Sequence, residues 1–253
     1  MIADSPESSL DAIRREIDSI DDRILRLLVR RSAATAKVKA TKAQDGSIAS
    51  SPFRPAREAA MMRRLIEEAG SALSPQLLVR LWRVILSASI QSQAPVTLHM
   101  DGAQGRDLAM RLLAAHHFCD MKVELHTSPS RALGAVGAAP GDLALIAPGS
   151  DWAAGFAEGA AGSAQVILTL PVLARSSQPR LLVFGHAAPQ PSGDDETLLL
   201  VPGEKVTVVG ALWQVYSGTA TLASLNGFLD HPPSLHPGTR IAGRYPRPLK
   251  VSQ

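Results

Sequence analysis

Residues 7–45 contain neither glycine nor proline, and their apolar side chains recur at alternating intervals of three and four. The series is Leu10, Ile13, Ile17, Ile20, Ile24, Leu27/Leu28, Ala34 and Val38, the seam of a helix that coils against another helix. Ser8 or Ser9 can cap its start. A helix of about 33 residues is roughly 50 Å long at 1.5 Å per residue. Such a rod cannot bury its seam alone, so it needs other helices, from its own chain or from a second copy.

Two more helices follow. Asp45-Gly46-Ser47 ends the rod, and Ser51-Pro52-Phe53-Arg54-Pro55 leads into a second helix from about Ala56 to Ala69, stopped by Gly70. Ser74-Pro75 starts a third, whose apolar face runs Leu77, Leu78, Leu81, Trp82, Ile85, Leu86 and Ile90 and which ends before Pro95. Three helices of this size make a thin core. The unaccompanied seam predicts an intertwined homodimer with two rods crossing.

Near residue 94 a charged, glycine-poor stretch gives way to one rich in Gly, Pro, Ala, Val and Leu, and all seven histidines lie beyond it. Residues 1–94 carry 15 Lys/Arg against 11 Asp/Glu, while the rest is close to neutral, so the basic excess is local. We therefore divide the chain into an all-helical domain, 1–94, and an α/β domain, 95–253. In the second, short runs at Val96–Met100, Lys122–His126, Asp142–Ala147, Gln165–Leu170 and Arg180–Gly185 read as strands among Ala-rich helical stretches such as Leu108–Ala115. Thr197–Val201 and Lys205–Val209 read as further strands, and the Pro-rich tail from about residue 231 as irregular.

The basic residues follow helical faces without an aromatic platform, which argues against nucleic acid. Cys119 is the sole cysteine, so no intrachain disulfide forms, as suits a reducing cytoplasm. The start has no basic-then-apolar secretory pattern, and no run of about eighteen apolar residues exists. The expectation is a soluble cytoplasmic protein with no membrane partner.

Charges stand where a core is needed. Arg31 falls on the seam seven residues after Ile24, and Arg14 flanks it between Ile13 and Ile17. Lys42 is eleven residues after Arg31, nearly three whole turns, so both share a face about 16 Å apart along the axis. Helix side chains lean toward the N-terminus, which aims Lys42 back at the gap, and two long side chains there could hold a molecule of about sugar size. Alternatively, Arg14 and Arg31 lie along their own stems or pair with carboxylates across the bundle. Ser89 and Gln93, four apart on the third helix, are polar where a structural bundle prefers Leu or Ala. Arg57-Glu58 opens the second helix, where Glu58 can equally serve as a first-turn acid complementing the helix dipole.

Together, Arg14, Arg31, Lys42, Arg57-Glu58 and Ser89/Gln93 resemble the pattern of the all-helical chorismate mutases, and LDAIRREIDSIDDRILRLLVRRSAATAKVKATK looks like that family's first helix. The resemblance covers about residues 8–94. It implies conversion of chorismate to prephenate, an intramolecular rearrangement that needs no nucleophile, metal or cofactor. By resemblance Arg31 and Arg14 clamp the two carboxylates, with Arg14 coming from the partner subunit; their planar forks suit a carboxylate. Lys42 and Gln93 donate to the ether oxygen, Glu58 accepts from the ring hydroxyl, Ser89 supports a carboxylate, and Arg57 orders Glu58. Catalysis would come from holding a flexible dianion in its reactive shape and placing donors where charge develops. The pattern fails at Arg54, where some members place an Asp that fixes the substrate.

Residues 95–200 faintly resemble prephenate dehydratase, and SQPRLLVFGHAAPQPSGDDETLLLV looks like its last catalytic strand, connecting loop and the opening of a regulatory ACT domain. The family's Thr-Arg-Phe, with its catalytic Thr, is here Pro179-Arg180-Leu181, and its Glu-Asn-Ser is Pro148-Gly149-Ser150. A proline cannot supply a hydroxyl, so the second domain reads as degenerate and non-catalytic, and the residues after 200 are short for a complete ACT domain. His116-His117 read as surface residues, because adjacent helical positions diverge. Three alternatives remain: isochorismate pyruvate-lyase on the same scaffold, a bifunctional mutase/dehydratase, and a non-catalytic metabolite-binding protein.

Overall fold

The computed structural model describes residues 6–44, 51–174, 176 and 178–250, and its compact units are Met1–Ile48 and Ala49–Gln253. The first unit is one helix, α1, Pro6–Gln44, of 39 residues. It already runs from Pro6, so Ser8 and Ser9 lie inside it rather than capping it; Asp45-Gly46-Ser47 falls outside the described residues. The seam is present and open: Leu10, Ile13, Ile17, Ile20, Ile24 and Leu28 are each 40–52% exposed in the single chain. Thr35 and Thr41 return their hydroxyls to the carbonyls of Arg31 and Lys37, as hydroxyl residues inside helices do.

The second unit begins with α2, Pro55–Ala69, and α3, Pro75–Gln91. Pro55 opens α2 at a position that needs no N–H, and Gly70 ends it at φ 52°, a conformation that strains any residue with a Cβ. Ser74 caps α3 by accepting from the Leu77 N–H at 3.2 Å. Leu78, Val79, Leu86 and Ile90 of α3 are buried. Ile90 joins a core cluster with Phe53, Val96, Leu98 and Phe118, so this apolar face is absorbed by the α/β unit. From α2, Arg63 donates to the carbonyls of Ser192 at 2.9 Å and Asp194 at 2.7 Å. These contacts hold α2 and α3 within the same compact unit as the strands, while Leu77, Leu81 and Val84 of α3 stay 43–56% exposed.

The remaining elements are β1, Thr97–Asp101; α4, Gly102–Arg106; α5, Leu108–His117; β2, Lys122–His126; α6, Pro129–Ala138; β3, Leu143–Ile146; α7, Ala153–Ala157; and β4, Gln165–Leu170. Then come β5, Leu173–Ala174; β6, Leu181–Gly185; β7, Asp195–Pro202; β8, Trp213–Ser217; β9, Ala220–Asn226; β10, Arg240–Pro246; and β11, Leu249–Lys250. Nine strands form one sheet in the order β2-β1-β3-β6-β4-β10-β7-β9-β8, and β11 pairs with β5. The pairs β1/β2, β1/β3 and β4/β10 are parallel, whereas β6 runs antiparallel to β3 and β4, and β7 to β9 and β10. The end with parallel pairs alternates with helices; at the other end β10, β7, β9 and β8 are antiparallel neighbours, with β7 paired to β9 rather than to β8. Trp152, Phe184 and Tyr245 anchor one core face, and Met100, Leu145 and Leu170 the other.

Two expectations are corrected. Lys205–Val209 forms no strand: Val206 donates to the Thr221 hydroxyl at 3.1 Å and Val208 to the Gln214 side-chain oxygen at 2.9 Å, so side chains replace a ladder. The tail is irregular only through residues 231–239; beyond them β10 lies inside the sheet between β4 and β7. Gly243 permits this insertion, because a Cβ there would sit 2.1 Å from the Val166 carbonyl oxygen. Strands β7 to β10 thus continue the same sheet rather than opening a separate ACT unit.

Candidate active site

The sequence candidates divide between the two compact units. Arg14 and Arg31 stand on α1, where Arg14 reaches Asp11 at 3.2 Å across an exposed i,i+3 pair and Arg31 is half-buried. Lys42 lies on the same helix, and its side chain is outside the described residues. In the second unit, Arg54 precedes α2 and is half-buried, Arg57 is exposed in its first turn, and Glu58 is half-buried beside it. Ser89 lies in the last turns of α3, and Gln93 falls just past its end. Gln93 donates from Nε2 to the Ser89 carbonyl at 3.0 Å, and the Ser89 hydroxyl donates to the Ile85 carbonyl at 2.7 Å, so this polar pair is held together.

Glu58 is the centre of a local network that the sequence reading missed. Arg83 of α3 donates from Nη2 to Glu58 Oε2 at 2.6 Å, and its Nη1 lies 2.9 Å from His117 Nε2. Arginine only donates, so His117 accepts at Nε2 and is neutral with its proton on Nδ1. Burial, and then the Arg83 charge, hold the His117 pKa well below its ordinary 6.5. The Ser87 hydroxyl donates to the His117 carbonyl at 3.3 Å, tying α3 to the end of α5 a second time. Adjacent positions do diverge, with His116 exposed, but His117 is buried; the surface expectation is corrected for it. Arg83 is a cation that holds Glu58, and Arg57 is exposed in the same turn as Glu58. The missed signal was legible by the rule applied to Arg31: Arg83 is a charge on the apolar face of α3, between Val79 and Leu86.

The Glu58–Arg83–His117 line borders a shallow cleft walled by Met62, Val79, Leu168 and Leu249. Arg247 enters the same cleft, with Nε 3.5 Å from Asp194 and 3.4 Å from Glu196. Glu196 is buried and also accepts from Ser224 at 2.6 Å and Tyr245 at 3.2 Å. Burial, and then the Glu196 charge, push the Tyr245 hydroxyl well above its ordinary 10.0. The cleft is thus lined by one carboxylate, two guanidiniums that are each paired with a carboxylate, and an apolar wall.

A second polar cluster lies at the β1–β2 edge. His99 of β1 pairs in register with Glu124 of β2, and His126 follows two residues on, so all three project from one face of the sheet. Their ligating atoms lie within 4.8 Å of one another, a group able to hold a metal ion. Burial, and then His99, lower the His126 pKa, Arg131 adds to this, and Glu124 works against it. At the two prephenate-dehydratase-like positions, the Arg180 N–H donates to the Leu170 carbonyl at 2.9 Å, and the Ser150 hydroxyl to the Ala147 carbonyl at 2.8 Å.

Residues 13–94 match the family model described as chorismate mutase type II. A bifunctional chorismate mutase/prephenate dehydratase of Pseudomonas aeruginosa is 28% identical over 101 residues, which span 39% of this chain and 28% of that protein. A protein of the same description from Stutzerimonas stutzeri is 30% identical over 103 residues, spanning 40% of this chain and 28% of that one. The chain thus matches a little over a quarter of the length of these curated relatives. A solved structure described as GqqA, a novel type of quorum quenching acylase, aligns at TM-score 0.41 and 17% identity over 59% of this chain and 94% of that chain.

Proposed function

Taking residues 13–94 as a type II chorismate mutase segment, we propose that this chain converts chorismate to prephenate, and that a second copy covers the open seam of α1. The observation that carries the reading is the family match over the stretch that also holds Arg31, Lys42, Glu58, Ser89 and Gln93 at the expected spacing. Rearrangement breaks a C–O bond and forms a C–C bond within one molecule, so no group need be transferred. The residues must bind a dianion, hold it in its reactive chair-like shape, and meet charge as it develops on the ether oxygen.

Arg31 and the partner's contribution of Arg14 bind the two carboxylates, and Lys42 and Gln93 donate to the ether oxygen. Ser89 supports a carboxylate. Glu58 accepts from the ring hydroxyl through Oε1, since Oε2 is held by Arg83. Arg83 therefore takes the ordering role that the resemblance assigned to Arg57. Arg54 replaces the family's substrate-fixing Asp with a cation, which favours contact with a substrate carboxylate. A dimer is consistent with six seam residues left exposed along α1, a stripe too long for a soluble monomer.

The α/β unit acts as an accessory, because Pro179 offers no hydroxyl where the dehydratase has its catalytic Thr. A cytoplasmic location without nucleic-acid or membrane partners fits the composition; among the described residues no helix is long and apolar enough to cross a membrane. Incubating the full chain with chorismate, and separately with isochorismate, tests the reading. Prephenate from chorismate supports it; pyruvate and salicylate from isochorismate alone assign the chain to the lyase; no product from either leaves a binding protein.

A further inference from the structure

We propose that His99, Glu124 and His126 form a divalent-cation site of the zinc class at the edge of the sheet, independent of the mutase site. The register places them: His99 pairs with Glu124 across the parallel β1/β2 ladder, and His126 stands two residues further on the same face. His99 Nδ1 and His126 Nε2 lie 2.9 Å apart, within hydrogen-bond distance, with a Glu124 carboxylate oxygen inside the same 4.8 Å group. Two imidazole nitrogens brought this close gain only one shared proton, whereas a cation placed beside both takes a lone pair from each.

The surroundings have the form of a supported ligand. His99 is buried, and its other nitrogen, Nε2, lies 3.2 Å from Asp142 Oδ2. A proton held there leaves Nδ1 as the free lone pair facing His126, the carboxylate–histidine arrangement that orients metal-ligating imidazoles. Asp142 is itself fixed, since its Oδ1 accepts from the Thr97 N–H at 2.8 Å. On the open side Glu124 is 3.6 Å from Lys122, an exposed pair that parts at little cost when a cation arrives. Two imidazoles and one carboxylate match zinc, cobalt(II) or nickel(II) better than magnesium or calcium, and three protein ligands leave the fourth position to water.

The test uses the untagged full chain, stripped with chelator and titrated with Zn²⁺ and with Co²⁺. The expected result is one Zn²⁺ per chain by calorimetry and a Co²⁺ absorption band of tetrahedral type. His126→Gln and Glu124→Gln alter residues that are not buried and should leave the fold intact by circular dichroism while weakening Zn²⁺ at least 10-fold. Asp142→Asn, which acts through His99, should weaken it 10- to 100-fold and shift the Co²⁺ spectrum without abolishing it. Absence of stoichiometric Zn²⁺ binding by the wild-type chain overturns the proposal, and so does unchanged affinity in His126→Gln and Glu124→Gln.

Discussion

Arg83 sits between Glu58 and His117 with 9% of its side chain exposed, and each of its contacts carries a consequence. Removing one partner of a buried ion pair leaves an uncompensated charge, at a cost of about 3 kcal/mol or more. Arg83→Met should therefore lower stability by about that amount through the orphaned Glu58, read by urea denaturation; a change within 0.5 kcal/mol or so, as surface substitutions give, would show the pair to be idle. In the same variant Glu58 loses its orienting cation, so kcat should fall more than KM rises.

His117 sets a pH dependence. Folded, it stays neutral to a pH well below 6.5, whereas the unfolded chain takes up a proton near 6.5. Stability should thus be insensitive to this group above that value and decline as pH drops below it, with a slope up to about 1.4 kcal/mol per pH unit until the folded pKa is reached. His117→Gln should flatten the decline between pH 6.5 and 5 in denaturation midpoints. A slope as steep in the variant as in the parent would remove His117 as its source.

Among the elements, α1 makes the plainest demand. Its seam was readable because a helix repeats its environment every 3.6 residues, and the same regularity allowed the ends of α2 and α3 to be placed from Pro55, Gly70 and Ser74-Pro75. If a second copy covers the seam, Ile20→Asp buries a charge at the crossing, and light scattering should show a shift from dimer to monomer or loss of the fold. A variant that keeps the dimer puts the contact elsewhere. Strands were less legible. Lys205–Val209 has strand composition but turns the N–H groups of Val206 and Val208 to Thr221 and Gln214, side chains 15 and 6 residues away that no local pattern reveals. Strand β10 hid in a Pro-rich tail because its place depends on Gly243 fitting against Val166, a long-range contact.

For the molecule as a whole, the resemblance of the helical segment to a known family was legible in the sequence. The spacing of Arg14, Arg31, Lys42, Glu58, Ser89 and Gln93 pointed to the type II mutases, and the family match over residues 13–94 agrees. The composition break at 94 marks where the helical segment ends, whereas the compact units divide at Ile48/Ala49. Composition records what a segment is made of; contacts record what its apolar faces found. Arg83 was legible as a charge on an apolar face, but its pairing with His117, 34 residues away, exists only through the packing of α3 on α5. The His99–Glu124–His126 group likewise exists only once β1 and β2 pair. The accessory role proposed for the α/β unit predicts that the full chain releases no phenylpyruvate from prephenate; its appearance above the spontaneous rate would restore dehydratase chemistry despite Pro179.

The central claim is most directly tested by following chorismate disappearance and prephenate formation with the full chain, beside Arg31→Ala and Lys42→Ala. The account predicts enzymatic turnover in the parent and a loss of about 100-fold or more in kcat/KM for each variant, some 3 kcal/mol of transition-state stabilisation. Near-parental turnover in either variant, or no prephenate from the parent, would contradict it.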